Sequence, residues 1–183
     1  MENKGKLVVF SGPSGVGKGT IMKKLLQADE KIALSVSATT RKRREGEEHG
    51  VHYFYITKEE FEQKIRNNEM LEYTSYNGNF YGTIQSHVEE LLDNGKTVML
   101  EIEVDGAAQI KKKFPDAMSV FVTAPSVEEI ERRLRFRNTE DDEAIKNRIA
   151  IAKNEMTHAN EYDYIVCNDD VDAAANKILE IIK

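Results

Sequence analysis

The stretch Ser11-Gly12-Pro13-Ser14-Gly15-Val16-Gly17-Lys18-Gly19-Thr20 decides the fold of this chain. It follows the apolar run 7–10 and leads into residues 21–26, so that a strand, a glycine-rich loop and a helix follow one another. Gly12, Gly17 and Lys18 match the pattern G-x-x-x-x-G-K of the phosphate-binding P-loop. Glycines let several backbone N–H groups point at one spot, and the helix N-terminus adds partial positive charge there. The stretch therefore predicts a site for the phosphates of a nucleoside triphosphate.

One position departs from the P-loop pattern. Serine or threonine is expected after the lysine, where its hydroxyl reaches Mg²⁺. Here Gly19 stands in that position and Thr20 follows it. Whether Thr20 is a direct ligand of the metal is therefore open.

The composition excludes several function classes. The 183 residues carry a formal net charge of −6, which disfavours non-specific nucleic-acid binding because that needs a basic surface. No run is as long as a membrane span, and the N-terminus lacks the apolar region of a signal peptide, so we expect no membrane partner and a cytoplasmic location. Cys167 is the single cysteine, and in its apolar stretch we expect it to be a small buried side chain.

Strands and helices alternate along most of the chain. The predicted strands cover 6–11, 32–37, 97–104, 117–123 and 164–167, and the predicted helices cover 17–27, 84–94, 106–114, 126–136, 143–158 and 171–183. Such alternation indicates an α/β fold with a parallel sheet and helices on both faces. Ligands of such sheets bind at the carboxyl ends of the strands, where the glycine loop, Glu101 and Glu103 are expected to converge.

Residues 38–83 interrupt this alternation. They begin with the basic cluster Arg41-Lys42-Arg43-Arg44 and contain predicted strands at 52–56 and 70–76. Between those strands Thr57 and Glu60 predict a capping box for a helix over 58–68. Asn77-Gly78 is a strong signal for a hairpin turn. The segment is therefore predicted to be an inserted lobe with a small antiparallel sheet.

Across its whole length the chain resembles the guanylate kinases. The resemblance begins with the P-loop and continues through Ser35-Val36-Ser37-Ala38-Thr39-Thr40-Arg41-Lys42-Arg43-Arg44-Glu45-Gly46-Glu47, Gly50-Val51-His52-Tyr53-Phe54-Tyr55 and Asn68-Glu69-Met70-Leu71-Glu72-Tyr73. It ends with Gly78-Asn79-Phe80-Tyr81-Gly82-Thr83, Leu100-Glu101-Ile102-Glu103-Val104-Asp105-Gly106, Arg137-Asn138-Thr139-Glu140 and Val166-Cys167-Asn168-Asp169-Asp170.

The resemblance implies a fold and an activity. The fold would be a three-layer P-loop core of residues 1–37, 84–125 and 148–183, with a small α/β GMP-binding lobe at 38–83 and a helical lid at 126–147. The activity would be transfer of the γ-phosphate of ATP to GMP or dGMP, giving ADP and GDP in the case of GMP. Mg²⁺ would come with ATP. Glycine and threonine after the lysine are common in this family, so Mg²⁺ would be held mainly by ATP phosphates, water and nearby acids such as Glu101.

The resemblance also implies roles for residues by position. The catalytic residues would be Lys18, Arg41, Arg137 and Arg148. The ATP-binding residues would be Gly12, Pro13, Ser14, Gly15, Val16, Gly17, Lys18, Gly19, Thr20 and Asn168. The GMP phosphate would be held by Arg41, Arg44, Tyr53 and Tyr81, and the guanine by Ser37, Glu72, Thr83 and Glu103. Three positions depart from the expected forms: Thr83 replaces a serine, Glu103 an aspartate and Asn138 a glycine.

The chemistry of guanine fits a carboxylate such as Glu72 independently of the resemblance. Guanine offers N1–H and the 2-amino group side by side, and a carboxylate only accepts hydrogen bonds. Adenine offers an acceptor at N1, which would repel that carboxylate.

Two alternatives stay open at this stage. One is a non-catalytic guanylate-kinase-like binding module, and the other is a related kinase with a different phosphorylated acceptor. Retention of Lys18, Arg41 and Glu72 favours the enzyme, and Ser37, Glu72 and Thr83 together favour guanine. The sequence leaves the oligomeric state open.

Overall fold

A five-stranded parallel sheet forms the centre of the computed structural model, which describes residues 5–136 and 142–183. The strands of the described chain are β1 (Lys6–Ser11), β2 (Ile32–Leu34), β3 (Ala38–Thr39), β4 (Phe54–Tyr55), β5 (Met70–Tyr76), β6 (Asn79–Ile84), β7 (Thr97–Glu101), β8 (Met118–Thr123) and β9 (Tyr164–Cys167). The order in the large sheet is β2-β7-β1-β8-β9, and each neighbouring pair is parallel. The predicted α/β class is confirmed.

Helices cover both faces of this sheet. They are α1 (Lys18–Ala28), α2 (Lys58–Arg66), α3 (Gln85–Asp93), α4 (Val104–Lys113), α5 (Val127–Phe136), α6 (Asp142–Thr157) and α7 (Val171–Ile182), with a short 3₁₀ turn at Ala159–Glu161. Side chains of β1 point alternately to the two faces, as the pleat of a strand requires. Val8 and Phe10 join the core cluster of α1 and α7, whereas Val9 joins the cluster of α3 and α4.

A second, four-stranded sheet lies in the segment that interrupts the alternation. Its order is β4-β3-β6-β5. The hairpin between β5 and β6 turns at Asn77 and Gly78, whose φ angles of 48° and 75° are those of the expected tight turn. The expectation of an antiparallel lobe is wrong for one pair, because β3 and β4 run parallel. The connection 40–53 is long enough to return the chain in the same direction.

The predicted capping signals form real hydrogen bonds. At α2 the Thr57 side chain accepts from the Glu60 N–H at 3.2 Å, and the Glu60 carboxylate accepts from the Thr57 N–H at 2.7 Å. At α5 the Ser126 hydroxyl accepts from the Glu129 N–H at 3.1 Å. The Glu129 carboxylate accepts from Arg132 and Arg133. The predicted start of α2 is therefore correct, and α5 begins one residue after its predicted start.

Two sequence expectations are corrected. The strand predicted over 97–104 ends at Glu101, and Glu103 instead stands at the N-cap of α4, where its carbonyl accepts from the Ala107 N–H. Cys167 is exposed rather than buried. Strand β9 lies at the edge of the sheet, and there Val166 faces the core while Ile165 and Cys167 face the side that stays exposed.

The domain boundaries derived from the resemblance stay a prediction. Helix α6 runs without interruption from Asp142 to Thr157 and so crosses the predicted lid boundary at 147 and 148. None of the described helices has the length and apolar character that crossing a bilayer requires.

The packing of α7 on α1 gives a test of the core. Ile178 is fully buried in the cluster that also contains Phe10 and Leu25. We expect Ile178→Ala to lower the free energy of unfolding by about 2–4 kcal/mol, because the cavity is lined by side chains that cannot collapse fully. Urea unfolding measures this, with the exposed neighbour Lys177→Ala as control. An equal, small effect of both substitutions would contradict this account.

Candidate functional site

The glycine-rich loop between β1 and α1 has a backbone that only glycine adopts easily. Gly12 and Gly17 have φ angles of 151° and 93°, a region that L side chains rarely enter. A Cβ on Gly12 would lie 2.3 Å from the Val122 carbonyl oxygen of β8, so the loop also needs the missing side chain to approach the sheet. The Lys18 Nζ donates to the carbonyls of Gly12 and Pro13, the latter at 3.2 Å. The lysine is thereby folded back over its own loop.

Asn168 supports the loop from behind. It follows β9, is 1% exposed, and its Nδ2 donates to the Val16 carbonyl at 2.6 Å. Arg133 of α5 donates to the carbonyls of Val16, at 3.3 Å, and Asn168, at 3.0 Å. Glu129 in turn accepts from the Arg133 Nε at 2.7 Å. The loop therefore rests on a hydrogen-bonded base that joins three distant parts of the chain.

Two adjoining cavities form one cleft at the carboxyl ends of β1 and β7. The first has a volume of about 620 Å³ and includes the loop residues Gly12, Ser14 and Lys18. The second has a volume of about 410 Å³ and reaches the small sheet. Both are lined by Ser37, Tyr53, Tyr76, Glu101, Ile102, Glu103 and Arg148. A ligand in one cavity can therefore meet a ligand in the other.

Most of the predicted site residues lie on this cleft. The cavities are lined by Gly12, Ser14, Lys18, Ser37, Arg41, Arg44, Tyr53, Glu72, Tyr81, Glu103 and Arg148. Pro13, Gly15 and Val16 are buried within the loop, Gly17 is half-buried, and Gly19 and Thr20 are exposed on the first turn of α1. Thr83 is buried behind Glu72, and Asn168 lies beneath the loop. Arg137 lies outside the described residues. The individual roles stay predictions.

Glu72 is a buried carboxylate at one end of the second cavity. It is 3% exposed, and its Oε1 accepts from the Thr83 hydroxyl at 2.6 Å. Burial raises the pKa of Glu72 and the Glu103 charge raises it further, while the Thr83 hydrogen bond and the Lys113 charge lower it. A Cβ on Gly106 would lie 2.5 Å from the Glu72 Oε2, so α4 presses against the carboxylate. The Glu72 carboxylate is thus held in one position at the wall of the second cavity.

Arginines and tyrosines line the neighbouring part of the second cavity. The Arg41 Cζ lies 5.5 Å from the centroid of the Tyr53 ring, and the Tyr53 and Tyr81 rings are 6.1 Å apart. Burial is the main cause that raises the pKa of Tyr53, followed by the neighbouring Tyr81. The raised pKa keeps the Tyr53 hydroxyl protonated near neutral pH, and the hydroxyls of both tyrosines are groups that can donate hydrogen bonds. Together with the guanidinium of Arg44 they form a donor-rich pocket suited to a phosphate.

The acidic residues of the first cavity face Lys18. Glu101 ends β7, and burial raises its pKa while the Lys18 charge lowers it. Glu155 of α6 lines the same cavity, and burial likewise raises its pKa more than Lys18 lowers it. Arg148 lies seven residues before Glu155, on the same face of α6, and it also lines the cavity. Helix α6 thus brings both a cation and a carboxylate to the cavity that contains the glycine loop.

The donor set of this cavity fits a hydrated Mg²⁺ that a triphosphate carries. Such an ion takes one or two carboxylates besides phosphate oxygens and water, and Glu101 offers one at the loop. Within residues 5–136 and 142–183 no three His, Cys, Asp or Glu side chains gather into a metal-binding group. The described chain therefore offers a partial ligand set of the kind that Mg²⁺ bound to a nucleotide needs.

Comparisons with known proteins agree with this arrangement. The family model described as "Guanylate kinase" matches residues 4–183. A guanylate kinase of Oceanobacillus iheyensis is 49% identical, over 100% of this chain and 89% of its own length. One of Prochlorococcus marinus is 47% identical over 100% of both chains. The crystal structure of guanylate kinase from Anaplasma phagocytophilum superposes with a TM-score of 0.78 at 34% identity, covering 99% of this chain and 86% of that one.

The chain belongs to the guanylate kinase family. The resemblance seen in the sequence is thereby confirmed, and so is the predicted P-loop α/β core with its inserted lobe.

Sequence reasoning missed three residues of this guanylate kinase cleft and its base. Arg133 lies on α5 at a spacing from Glu129 that is typical of surface charge pairs, but it donates to two carbonyls at the base of the P-loop. Glu155 lies seven residues after Arg148, which places both on one helix face, and this spacing could have indicated it. Glu47 follows the basic cluster and pairs with Arg41. The position of Glu47 only three residues after the basic cluster could have indicated an ion pair with one of its arginines.

The base of the P-loop gives a stability test. We expect Asn168→Ala to lower the free energy of unfolding by about 1–2 kcal/mol, because the buried Val16 carbonyl then keeps only the longer hydrogen bond from Arg133. Asn168→Asp should cost more, since it places a charge against that carbonyl. Thermal unfolding of both variants measures this, with the exposed Asp169→Ala as control. A stable Asn168→Asp variant would contradict the assigned hydrogen bond.

Proposed function

We infer that the chain transfers the γ-phosphate of ATP to GMP, giving ADP and GDP. One observation supports this function: the P-loop and the buried carboxylate of Glu72 lie on a single continuous cleft. The first marks the phosphates of the donor, and the second marks the base of the acceptor. Since the two cavities share their lining at Ser37, Tyr53 and Glu103, the two nucleotides would meet end to end at their phosphates.

The donor side would hold the β- and γ-phosphates of ATP. Backbone N–H groups of the loop and the N-terminus of α1 supply the cradle, and Lys18 supplies a full positive charge. Mg²⁺, when bound with ATP, would neutralise charge on the transferring phosphate, with Glu101 as the carboxylate at hand. Arg148 faces the same cavity and would balance charge between the two phosphates.

The acceptor side would hold GMP by both ends. Arg41, Arg44, Tyr53 and Tyr81 line the same cavity as Glu72 and would bind the phosphate there. At the other end Glu72 would accept from N1–H and the 2-amino group of guanine. Ser37 and Glu103 would complete the contact, and Thr83 would orient the Glu72 carboxylate from behind. A site that depends on such hydrogen bonds can reject a mismatched base by roughly 10⁴-fold. GMP and dGMP share the contacted groups, so both would be accepted.

The reaction needs positioning more than proton transfer. The attacking group is a phosphate oxygen of GMP, which is already anionic near neutral pH, so no strong general base is required. The main obstacle is the repulsion between two polyanions. Lys18, Arg41 and Arg148 would offset this repulsion, and such cations contribute large factors in phosphoryl transfer. Closure of the lobe and of the lid over the cleft would exclude water and so suppress hydrolysis of ATP.

The alternatives lack a supporting observation. A non-catalytic binding module has no use for a P-loop lysine in the same cleft as a buried base-reading carboxylate. A related kinase with another acceptor would not need the Thr83–Glu72 hydrogen bond.

As to location, a single cysteine suits a reducing compartment, so we propose the cytoplasm.

ADP release from ATP·Mg²⁺ with a panel of monophosphates tests the function. Turnover with GMP is expected, and no turnover with GMP would contradict it.

The base-reading role of Glu72 gives a kinetic prediction. In Glu72→Gln the amide N–H₂ faces the donors of guanine and leaves one of them without an acceptor. We expect KM for GMP to rise roughly a hundredfold while KM for ATP stays near the wild-type value. The exposed Glu59→Gln of the same lobe is the matched control. Equal GMP kinetics in both variants would contradict the assignment.

The charge of Lys18 gives a second kinetic prediction. We expect Lys18→Ala to lower kcat by at least about 10²-fold, because the loop loses the cation nearest the transferring phosphate. The free energy of unfolding should change little, since the lysine is half-buried and its stem leaves no core cavity. Exposed Lys23→Ala on the same helix controls for loss of charge. Retained turnover in Lys18→Ala would refute the role of the loop.

A further inference from the structure

Glu47 binds the guanidinium of Arg41 through both of its terminal nitrogens. The Arg41 Nη2 donates to the Glu47 Oε1 at 2.8 Å and the Nη1 donates to the Oε2 at 3.0 Å. The two side chains are only 14% and 18% exposed. Such a two-point pair restricts rotation of the guanidinium much more than a single contact does.

Glu47 is itself anchored on two sides. Its Oε2 accepts from the Arg44 N–H at 2.8 Å and from the Tyr55 hydroxyl at 2.8 Å. Tyr55 belongs to β4, so the carboxylate is tied to the small sheet as well as to its own loop. The Arg41 hydrogen bond, helped by the Arg44 N–H, lowers the pKa of Glu47 to about 2. The carboxylate is therefore ionised at any pH near neutrality.

The pairing leaves one defined edge of Arg41 available. A guanidinium has five N–H groups, of which two donate to Glu47 and one, on Nη1, donates to the Lys42 carbonyl at 2.9 Å. The Nε–H and the second Nη2–H remain, and they lie side by side along one edge of the plane. Within the described part of the chain no acceptor is bound to that edge.

Aromatic rings hold the plane of the same group. The Arg41 Cζ lies 5.5 Å from the centroid of Tyr53 and 5.9 Å from that of Tyr55. Both contacts are within the range of cation–π attraction. Arg41 lines the second cavity together with Tyr53 and Tyr81, whereas its described lining does not include Glu47. The carboxylate thus acts from behind the arginine and does not occupy the cleft.

We propose that Glu47 is a positioning residue, which turns the Nε–H and Nη2–H edge of Arg41 toward the phosphate of the acceptor nucleotide. Two parallel N–H donors at fixed spacing match two phosphate oxygens. The same carboxylate also accepts from the Arg44 N–H, so it holds the backbone of the loop that carries both arginines. This inference rests on the proposed function, because it takes the acceptor to be a nucleoside monophosphate such as GMP.

A role in which Glu47 competes with the phosphate for Arg41 predicts a change in GMP affinity of the opposite sign. If Glu47 were a substitute anion that the phosphate must displace, its removal would strengthen binding of GMP. If it positions Arg41, its removal weakens binding of GMP, because the ordering of the guanidinium must then be supplied on binding. The sign of the change therefore separates the two roles.

Equilibrium binding of GMP and of guanosine to the full chain tests the proposal. In Glu47→Gln we expect the Kd for GMP to rise about tenfold or more, while the Kd for guanosine stays within about twofold of the wild-type value. Guanosine lacks the phosphate, so a general disturbance of the lobe would weaken both ligands equally. The exposed Glu45→Gln on the same loop removes the same charge and should leave both Kd values unchanged.

Steady-state kinetics add an independent readout. Glu47→Gln should raise KM for GMP and leave KM for ATP unchanged, since the donor loop is not involved. Tyr55→Phe removes only the hydroxyl that anchors Glu47, so it tests the same chain of contacts with little risk to folding. For it we expect a smaller rise in the Kd for GMP, of roughly two- to fivefold.

The outcomes are distinct. An unchanged or lower Kd for GMP in Glu47→Gln and Tyr55→Phe, or an equal loss of GMP and guanosine binding, would overturn the role of Glu47. Absence of GMP phosphorylation by the wild-type chain would instead contradict the proposed function. An active wild type with unaffected variants contradicts only the positioning role.

Discussion

The backbone of the glycine loop is the constraint on which the rest of the structure depends. Gly12 lies so close to the Val122 carbonyl that no side chain fits, and the loop turns through left-handed conformations before α1 begins. The backbone hydrogen bond within the loop, from the Val16 N–H to the Pro13 carbonyl, is long at 3.4 Å, so the loop needs further support. Asn168 and Arg133 supply the missing support from the far end of the chain. The triphosphate site is thus a property of the assembled sheet, although its residues are adjacent in sequence.

The second cavity depends on a different interaction, the hydrogen bonding of buried or half-buried charged side chains. Glu72 is removed from water and satisfied on one oxygen by Thr83. Arg41 is held by Glu47 at its back. In both cases a neighbouring side chain orients a charged group before any ligand arrives. Pre-organisation of this kind lowers the cost of ordering on binding and makes the contact specific.

The sequence predicted the fold well where local patterns are strong. The alternation of strands and helices, the capping box at Thr57 and the Asn77–Gly78 turn all depend on residues close in sequence, and each is present. The errors lie where neighbours in space decide. Cys167 is exposed because β9 is an edge strand. Strand β4 pairs with β3 in parallel because the long connection 40–53 brings the chain back in the same direction. Neither feature has a signature within the strand itself.

By itself, the sequence determined the P-loop, the α/β class and the family, because these depend on residue type at fixed spacing and on a match along the whole chain. Most of the site residues that it named line the cleft. Only the tertiary structure decided that Glu72 is buried against α4, that Arg133 lies behind the loop and that Glu47 orients Arg41. The physical reason is that burial, hydrogen-bond partners and the free edge of a guanidinium arise from segments that meet in space.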